Sequence, residues 1–233
     1  MLRKFLTPRG LIILFFSAFA AACGGKASVN IDVLFRDPTS PSPADPPYGS
    51  EVIYPSGLRV GLVPDATLTA TYPSPSANPF GELRTQQYQR VGSFIPLEIA
   101  PVSERVSENF LMSEFVNPTT QRGGRRAYVD PEVVWHVQLV RSGLGRPLIV
   151  SSSFRSPEHN RDVGGATYSR HLYGDAVDID VDQSLPGANT RGQEIFNEAR
   201  DVGVDFVLPL DDTSVNVFGA TRVSWVHLDD RGF

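Results

Sequence analysis

His171 and Asp178 stand seven positions apart, with Gly174 between them to allow a tight turn. An imidazole and a carboxylate at that spacing can reach one cation. Zinc takes N and O ligands at about 2.0–2.2 Å, and a catalytic zinc uses three protein ligands plus a water. Asp178 belongs to an alternating run in which Ala176, Asp178, Asp180 and Asp182 fall on one side and Val177, Ile179 and Val181 on the other. Period two means a strand with one buried face. Three like charges on the other face repel, and a metal ion is one candidate to offset them. The chain has four histidines, His136, His159, His171 and His227. His227 sits in a second strand-like run, Val223 to Asp229, and shares a face with Trp225 and Asp229. If that strand pairs with 176–182, His227 completes a His-Asp-His set.

The bland alternative is a hydrogen-bonded structural pair of His171 and Asp178. His136 falls on a helix that begins at Asp130, at its surface or half-buried. His159 lies in a polar loop beside Glu158 and Asn160, where it can border a cleft without being a ligand. Asp180 and Asp182 are expected to face water or to cap neighbours. Gly164-Gly165 marks a turn that needs positive φ; no phosphate-loop pattern follows it. Ser169 has no histidine base placed for it and is expected to orient the loop.

These residues carry a resemblance. Ser169-x-His171-x-x-Gly174-x-Ala176-x-Asp178, followed late by Trp225-x-His227, resembles the zinc site of the D-Ala-D-Ala carboxypeptidase and endopeptidase family. That family shares its fold with the vancomycin-resistance dipeptidase and the hedgehog signalling domain. Ser152 to Asn160 is similar to the family's segment bearing a catalytic arginine. Glu108-Asn109-Phe110-x-x-Ser113-Glu114-Phe115 and Asp130-Pro131-Glu132 look like its entry segment and first helix. The resemblance covers roughly 107–233. It implies Zn2+ on His171, Asp178 and His227, peptidoglycan stem peptides as substrate, and Arg155 aimed at the scissile carbonyl oxygen or the substrate carboxylate. A fixed guanidinium there stabilises an oxyanion as it forms. One departure stands out. Several members carry an acid three residues before the last histidine as general base, and Ser224 holds that position here. Asp229, on the face of His227, is the candidate replacement, either as proton acceptor or as a hydrogen-bond partner of a ligand. Asp230 points the other way.

The elements that must position these residues are legible from residue 107 onward. Asp130-Pro131-Glu132 is a helix start. Val133, Val134, Val137 and Val140 form its apolar stripe, and Gly143 suits its stop. Pro147 to Val150 reads as a buried strand leading to Arg155. Thr190-x-x-Gln193 fits a capping box ahead of a helix with Ile195, Phe196, Ala199 and Val202 on one face and Gly203 at its end. Val204 to Leu208, Val215 to Phe218 and Val223 to Asp229 read as strands. The class expected is α+β, a mainly antiparallel sheet with helices on one face.

The 233 residues carry 21 basic and 26 acidic side chains, with 41% hydrophobic and 20% charged residues, which is ordinary for a globular chain with a core. Residues 1–22 have a basic start at Arg3, Lys4 and Arg9 and an apolar run from Leu11 that ends at Ala20-Ala21-Ala22-Cys23. That is a targeting segment, and its small residues before a cysteine resemble the lipobox of bacterial lipoproteins, with Cys23 the lipidation site. Gly24 after it resembles outer-membrane sorting. Loss of the three basic residues in 1–22 takes the formal net charge from −5 to −8. The lone Cys23 excludes intramolecular disulfides. No clustered basic surface calls for a nucleic-acid partner; Arg122, Arg125 and Arg126 read as a solvated patch or as a contact for stem-peptide carboxylates.

Residues 23–105 read as a tether and a small β-rich region ahead of a catalytic domain at 106–233. Ser28 to Phe35 alternates, and Asp37 to Pro47 is a proline-rich spacer, roughly 34 Å if extended. Leu58, Val60 and Leu62 alternate, as do Leu68, Ala70 and Tyr72, and Ile95, Leu97 and Ile99; Pro96 demotes the last to an edge strand. These runs either form a module or add strands to the catalytic domain. The sequence-level expectation is a monomeric zinc peptidase in the cell envelope, held to the outer membrane by lipid and facing the periplasm. The alternative is a non-catalytic zinc-holding module that binds cell-wall peptides or a protein.

Overall fold

The computed structural model describes residues 51–98, 102–116, 125–217 and 219–232. All belong to one compact unit spanning 41–233. The targeting segment, Cys23, the Ser28–Phe35 run, the proline-rich spacer and Arg122 lie outside the described residues. Among those described, no helix is long and apolar enough to cross a membrane.

In chain order the strands are β1 Glu51–Ile53, β2 Arg59–Gly61, β3 Val63–Pro64, β4 Ser93–Pro96, β5 Arg126–Ala127, β6 Val150–Ser152, β7 Ala176–Asp180, β8 Phe206–Val207, β9 Ser214–Val217, β10 Ala220–Val223 and β11 Trp225–Asp229. The α-helices are α1 Ala66–Thr69, α2 Met112–Phe115, α3 Pro131–Leu144, α4 Pro157–Asp162 and α5 Ala188–Asp201. A four-stranded sheet ordered β6-β7-β11-β8 forms the centre, a second is ordered β3-β4-β5, and β1-β2 and β9-β10 are two-stranded. Among the described residues every pairing is antiparallel, so the α+β class read from the sequence holds.

α3 forms as its sequence dictates. The Asp130 carboxylate accepts from the Glu132 amide at 2.9 Å, and Pro131 opens the first turn. Val133, Val134, Val137 and Val140 are buried, each contributing about 1.5–3 kcal/mol relative to exposure. The helix ends at Gly145 (φ 61), not Gly143, which lies inside the last turn against the Glu198 side chain. α5 packs against α3 and against β8, β10 and β11. It buries Ile195 and Ala199 and leaves Phe196 and Val202 half-buried. Its start corrects the expected capping box. Gly187 (φ 79) turns the chain after Pro186, the helix begins at Ala188, and Thr190 and Gln193 lie inside it.

Other expectations shift for local reasons. The strand before Arg155 is Val150–Ser152 rather than Pro147–Val150; Leu148 is buried but Ile149 is 63% exposed. The Leu68-Ala70-Tyr72 alternation is helical at its start, because Asp65 accepts from the Leu68 amide at 2.9 Å and caps α1. Pro96 does not make β4 an edge strand. β3 pairs with Ser93 and Phe94 on one side, and β5 pairs with Ile95 and Pro96 on the other. The proline therefore needs a ladder partner on one side only. The β4–β5 pairing joins the first part of the described chain to the second, and Phe94 and Ile95 are fully buried in the shared core.

Candidate metal centre

Three short elements bring the site together. A 3-10 turn, Arg170–Tyr173, ends at Gly174, whose φ of 77° an L side chain rarely adopts. A Cβ at that glycine would strike the Tyr128 carbonyl oxygen. The Gly174 carbonyl accepts from the Asp130 amide at 2.9 Å, so the cap of α3 also fixes this turn. The chain then enters β7, where Ser152 of β6 lies beside Asp178 on one side and His227 of β11 on the other.

The donor atoms converge. Asp178 Oδ1 lies 3.2 Å from His171 Nε2 and 2.9 Å from His227 Nδ1. One ligand atom from each of the three residues lies within 4.8 Å of the others. His171 and Asp178 are 3% and 7% exposed. The outer ring nitrogens fix the tautomers. His171 Nδ1 is 2.7 Å from the Ser153 carbonyl oxygen, which can only accept, so that nitrogen carries the proton. His227 Nε2 donates to Asp229 Oδ2 at 3.0 Å. In the neutral rings both inner nitrogens then turn lone pairs toward a carboxylate, and three acceptors meet. A cation resolves that conflict; in its absence a proton must.

The electrostatics agree. Burial keeps His171 neutral by pulling its pKa down, against the attraction of Asp178. Burial also opposes charge on His227, but hydrogen bonds to Asp178 and Asp229 outweigh it and raise its pKa to about 9. Burial would raise Asp178, yet the charges and hydrogen bonds of the two imidazoles hold it well below the usual carboxylate range. The set of two imidazoles and a carboxylate suits zinc.

Arg155 completes the ring of contacts. Its Nη2 donates to Asp178 Oδ2 at 2.7 Å, its Nε to Ser152 Oγ at 2.9 Å, and its amide to the His171 carbonyl at 2.9 Å. It lines a cavity of about 410 Å3 together with Ser153, Phe154 and His159. In this structure the guanidinium therefore rests on the Asp178 carboxylate at the mouth of a cleft. His159 borders the cleft and is absent from the metal cluster.

Asp229 is fully buried. One oxygen accepts from His227 and both accept from Arg231, which also stacks on Phe206 at 3.9 Å. Of the two roles open in the sequence, the contacts carry the orienting one. Asp230 is not a bystander either: it is 1% exposed and pairs with His136 Nδ1 at 2.9 Å. Asp180 is exposed, and Asp182 accepts from Ser184. Ser224 uses its amide and carbonyl to bridge Thr213 and Val181. The sequence reading missed the Arg170–Asp175 and Arg231–Asp229 ion pairs. Their only signal was a basic residue next to a ligand and a basic residue two positions after an acid.

A small α+β domain with a buried His-Asp-His cluster is thus defined by fold and site. Residues 108–204 match the Peptidase M15 family. The match contains Arg155, His171 and Asp178 and stops before β11. A 47-residue stretch is 45% identical to the zinc D-Ala-D-Ala carboxypeptidase of Streptomyces albus G, covering 20% of this chain and 18% of that protein.

Proposed function

We propose that the protein is a zinc-dependent peptidase that hydrolyses peptidoglycan stem peptides, as a D,D-carboxypeptidase or a crosslink endopeptidase. The observation that carries this reading is the meeting of three acceptor atoms, His171 Nε2, Asp178 Oδ1 and His227 Nδ1, in a domain of a peptidase family. Zinc there supplies a Lewis acid and a water of lowered pKa. The chain's own residues do the rest. Ser153 and Asp229 fix the imidazole tautomers. Arg155 neutralises Asp178 and stands at the cleft, from where its donors can turn to a developing oxyanion. The stem-peptide substrate is supported by the name of the Streptomyces relative and by the envelope address that the Ala20-Ala21-Ala22-Cys23 junction implies. The same junction, with Gly24 after it, supports a lipid tether at Cys23 to the outer membrane, facing the periplasm.

A second reading, a zinc-holding module that binds cell-wall peptides without cleaving them, is favoured by one observation. Ser224 replaces the family acid, and Asp229 spends its oxygens on His227 and Arg231. Incubating the zinc-loaded protein with defined muropeptides and reading products by mass spectrometry separates the two. Released D-alanine or split crosslinks, absent with His171→Ala, support the peptidase. Binding without products supports the module.

A further inference from the structure

The turn that carries His171 is held by chain outside the family match. The buried Tyr72 hydroxyl donates to the Leu172 carbonyl at 2.8 Å. Arg170, 3% exposed, donates to both oxygens of Asp175 and to the Gln87 carbonyl. Its guanidinium lies 5.3 Å from the Tyr88 ring centre and 4.6 Å from that of Tyr173. Gln87 reaches the other ligand-bearing element as well: its Nε2 donates to the Gly232 carbonyl at 2.5 Å, just past β11. The segment 72–88 therefore grips the turn before β7 and the end of β11 together, and it ends well before residue 108, where the family match begins.

We infer that residues 72–88 are an intramolecular clamp that sets the metal affinity of the His171-Asp178-His227 site, with Tyr72, Gln87 and Tyr88 as positioning residues. This rests on the metal reading above. His171 sits on one turn of 3-10 helix, a poorly self-supporting element. Its neighbours Arg170 and Leu172 are both pinned from the clamp, on either side of the ligand. Metal–ligand distances tolerate only about 0.2 Å, so a turn free to rock would hold its imidazole in place less of the time. Gln87 couples the two ligand elements, so that the turn and β11 cannot drift independently. Removing groups that orient ligands costs roughly 10–100-fold in metal affinity.

The test measures zinc dissociation constants of the full chain by chelator competition, in wild type, Tyr72→Phe, Gln87→Ala and Val60→Ala. Val60 is buried in the β1–β2 pair, away from the clamp's hydrogen bonds, and its truncation reports general loss of stability. Thermal unfolding in chelator gives the stability of each metal-free protein. The expected result is zinc binding weakened about 10–100-fold in Tyr72→Phe and Gln87→Ala but unchanged in Val60→Ala. The absorption spectrum of the cobalt-substituted protein should change in the first two. Wild-type affinity in both clamp variants overturns the inference, and so does equal weakening in Val60→Ala. Should Gln87→Ala fail to fold, Tyr72→Phe, which removes a single oxygen, decides. A wild type that binds no zinc overturns the metal reading and the clamp with it.

Discussion

Asp178 and His227 face each other across β7 and β11, with Oδ1 2.9 Å from Nδ1 although 49 positions separate them in the chain. Strand register, rather than any local loop, makes this contact. The outer nitrogen of His227 is taken by Asp229, so the inner one has nowhere to turn but the carboxylate.

Removal of a ligand should remove the metal. His171→Ala and His227→Ala are expected to lose stoichiometric zinc on metal analysis, and His159→Ala, at the cleft but outside the cluster, to keep it. Full retention of zinc in both ligand variants would falsify the ligand assignment.

The metal-free protein should lose stability as pH rises. His227, with a folded pKa of about 9 against an ordinary 6.5, keeps a proton that the unfolded chain releases. Its contribution is whole below pH 6.5 and is lost as pH rises through 9, on the order of 3 kcal/mol. Burial pushes Asp175 and Asp230 up to about 6, so their contributions are whole below pH 3.8 and are lost through 6, in the same direction. Melting curves in chelator should shift down between pH 6 and 9. Zinc displaces the His227 proton, so saturated protein should not show that fall, and calorimetry in buffers of different ionisation enthalpy should find about one proton released per zinc at pH 7. A zinc affinity independent of pH in this range would contradict the assignment.

Asp229 should act through His227. Asp229→Asn is expected to weaken zinc about 10–100-fold, with hydrolysis recovering when zinc is saturating. A rate that stays lost at saturating zinc would instead make Asp229 the proton acceptor. Asp230→Ala strands His136 and should cost about 1–3 kcal/mol in denaturant unfolding, with zinc affinity unchanged.

Gly174→Ala should be among the most damaging single changes in the domain. It combines a φ of 77° with a Cβ driven into the Tyr128 carbonyl. A loss of at least ~1–3 kcal/mol is expected, together with weaker zinc binding, because the turn bearing His171 must move. Wild-type melting of this variant would show that the turn is free to relax.

Cys23→Ser should move the protein from the membrane fraction to the soluble fraction, since stable anchoring needs more than one acyl chain and a lipidated N-terminal cysteine supplies them. Equal partitioning of both proteins would place the anchor elsewhere.

The sequence made the His171-Asp178-His227 cluster legible because its pattern is local. The His171–Asp178 spacing and the two alternating runs required only period-two reasoning; their pairing was a condition in the sequence, and the β7–β11 register meets it. Of the buried polar network only the Asp229–His227 contact was legible, from their shared strand face. Asp230, Arg170 and Asp175 are ordinary surface residue types, and only tertiary burial makes them partners. Tyr72 looked like one end of an apolar alternation, yet its hydroxyl serves a carbonyl 100 positions away. Helix ends were misplaced by two or three residues, at Gly145 and Gly187, because either of two nearby residues satisfied the capping pattern and packing chose between them.

The β7–β11 register also determines where the chain tolerates a change of length. Between Asp180 and Trp225 the chain makes α5, β8, β9, β10 and their loops, and residues added or deleted in those loops leave the Asp178–His227 pairing untouched. One residue inserted inside Ala176–Asp180 or Trp225–Asp229 turns every side chain beyond it to the opposite face. The separation of Asp178 from the last histidine is therefore an elastic quantity. The triplet Trp225-x-His227-x-Asp229 is rigid, and it is the better probe for finding chains that build the same site.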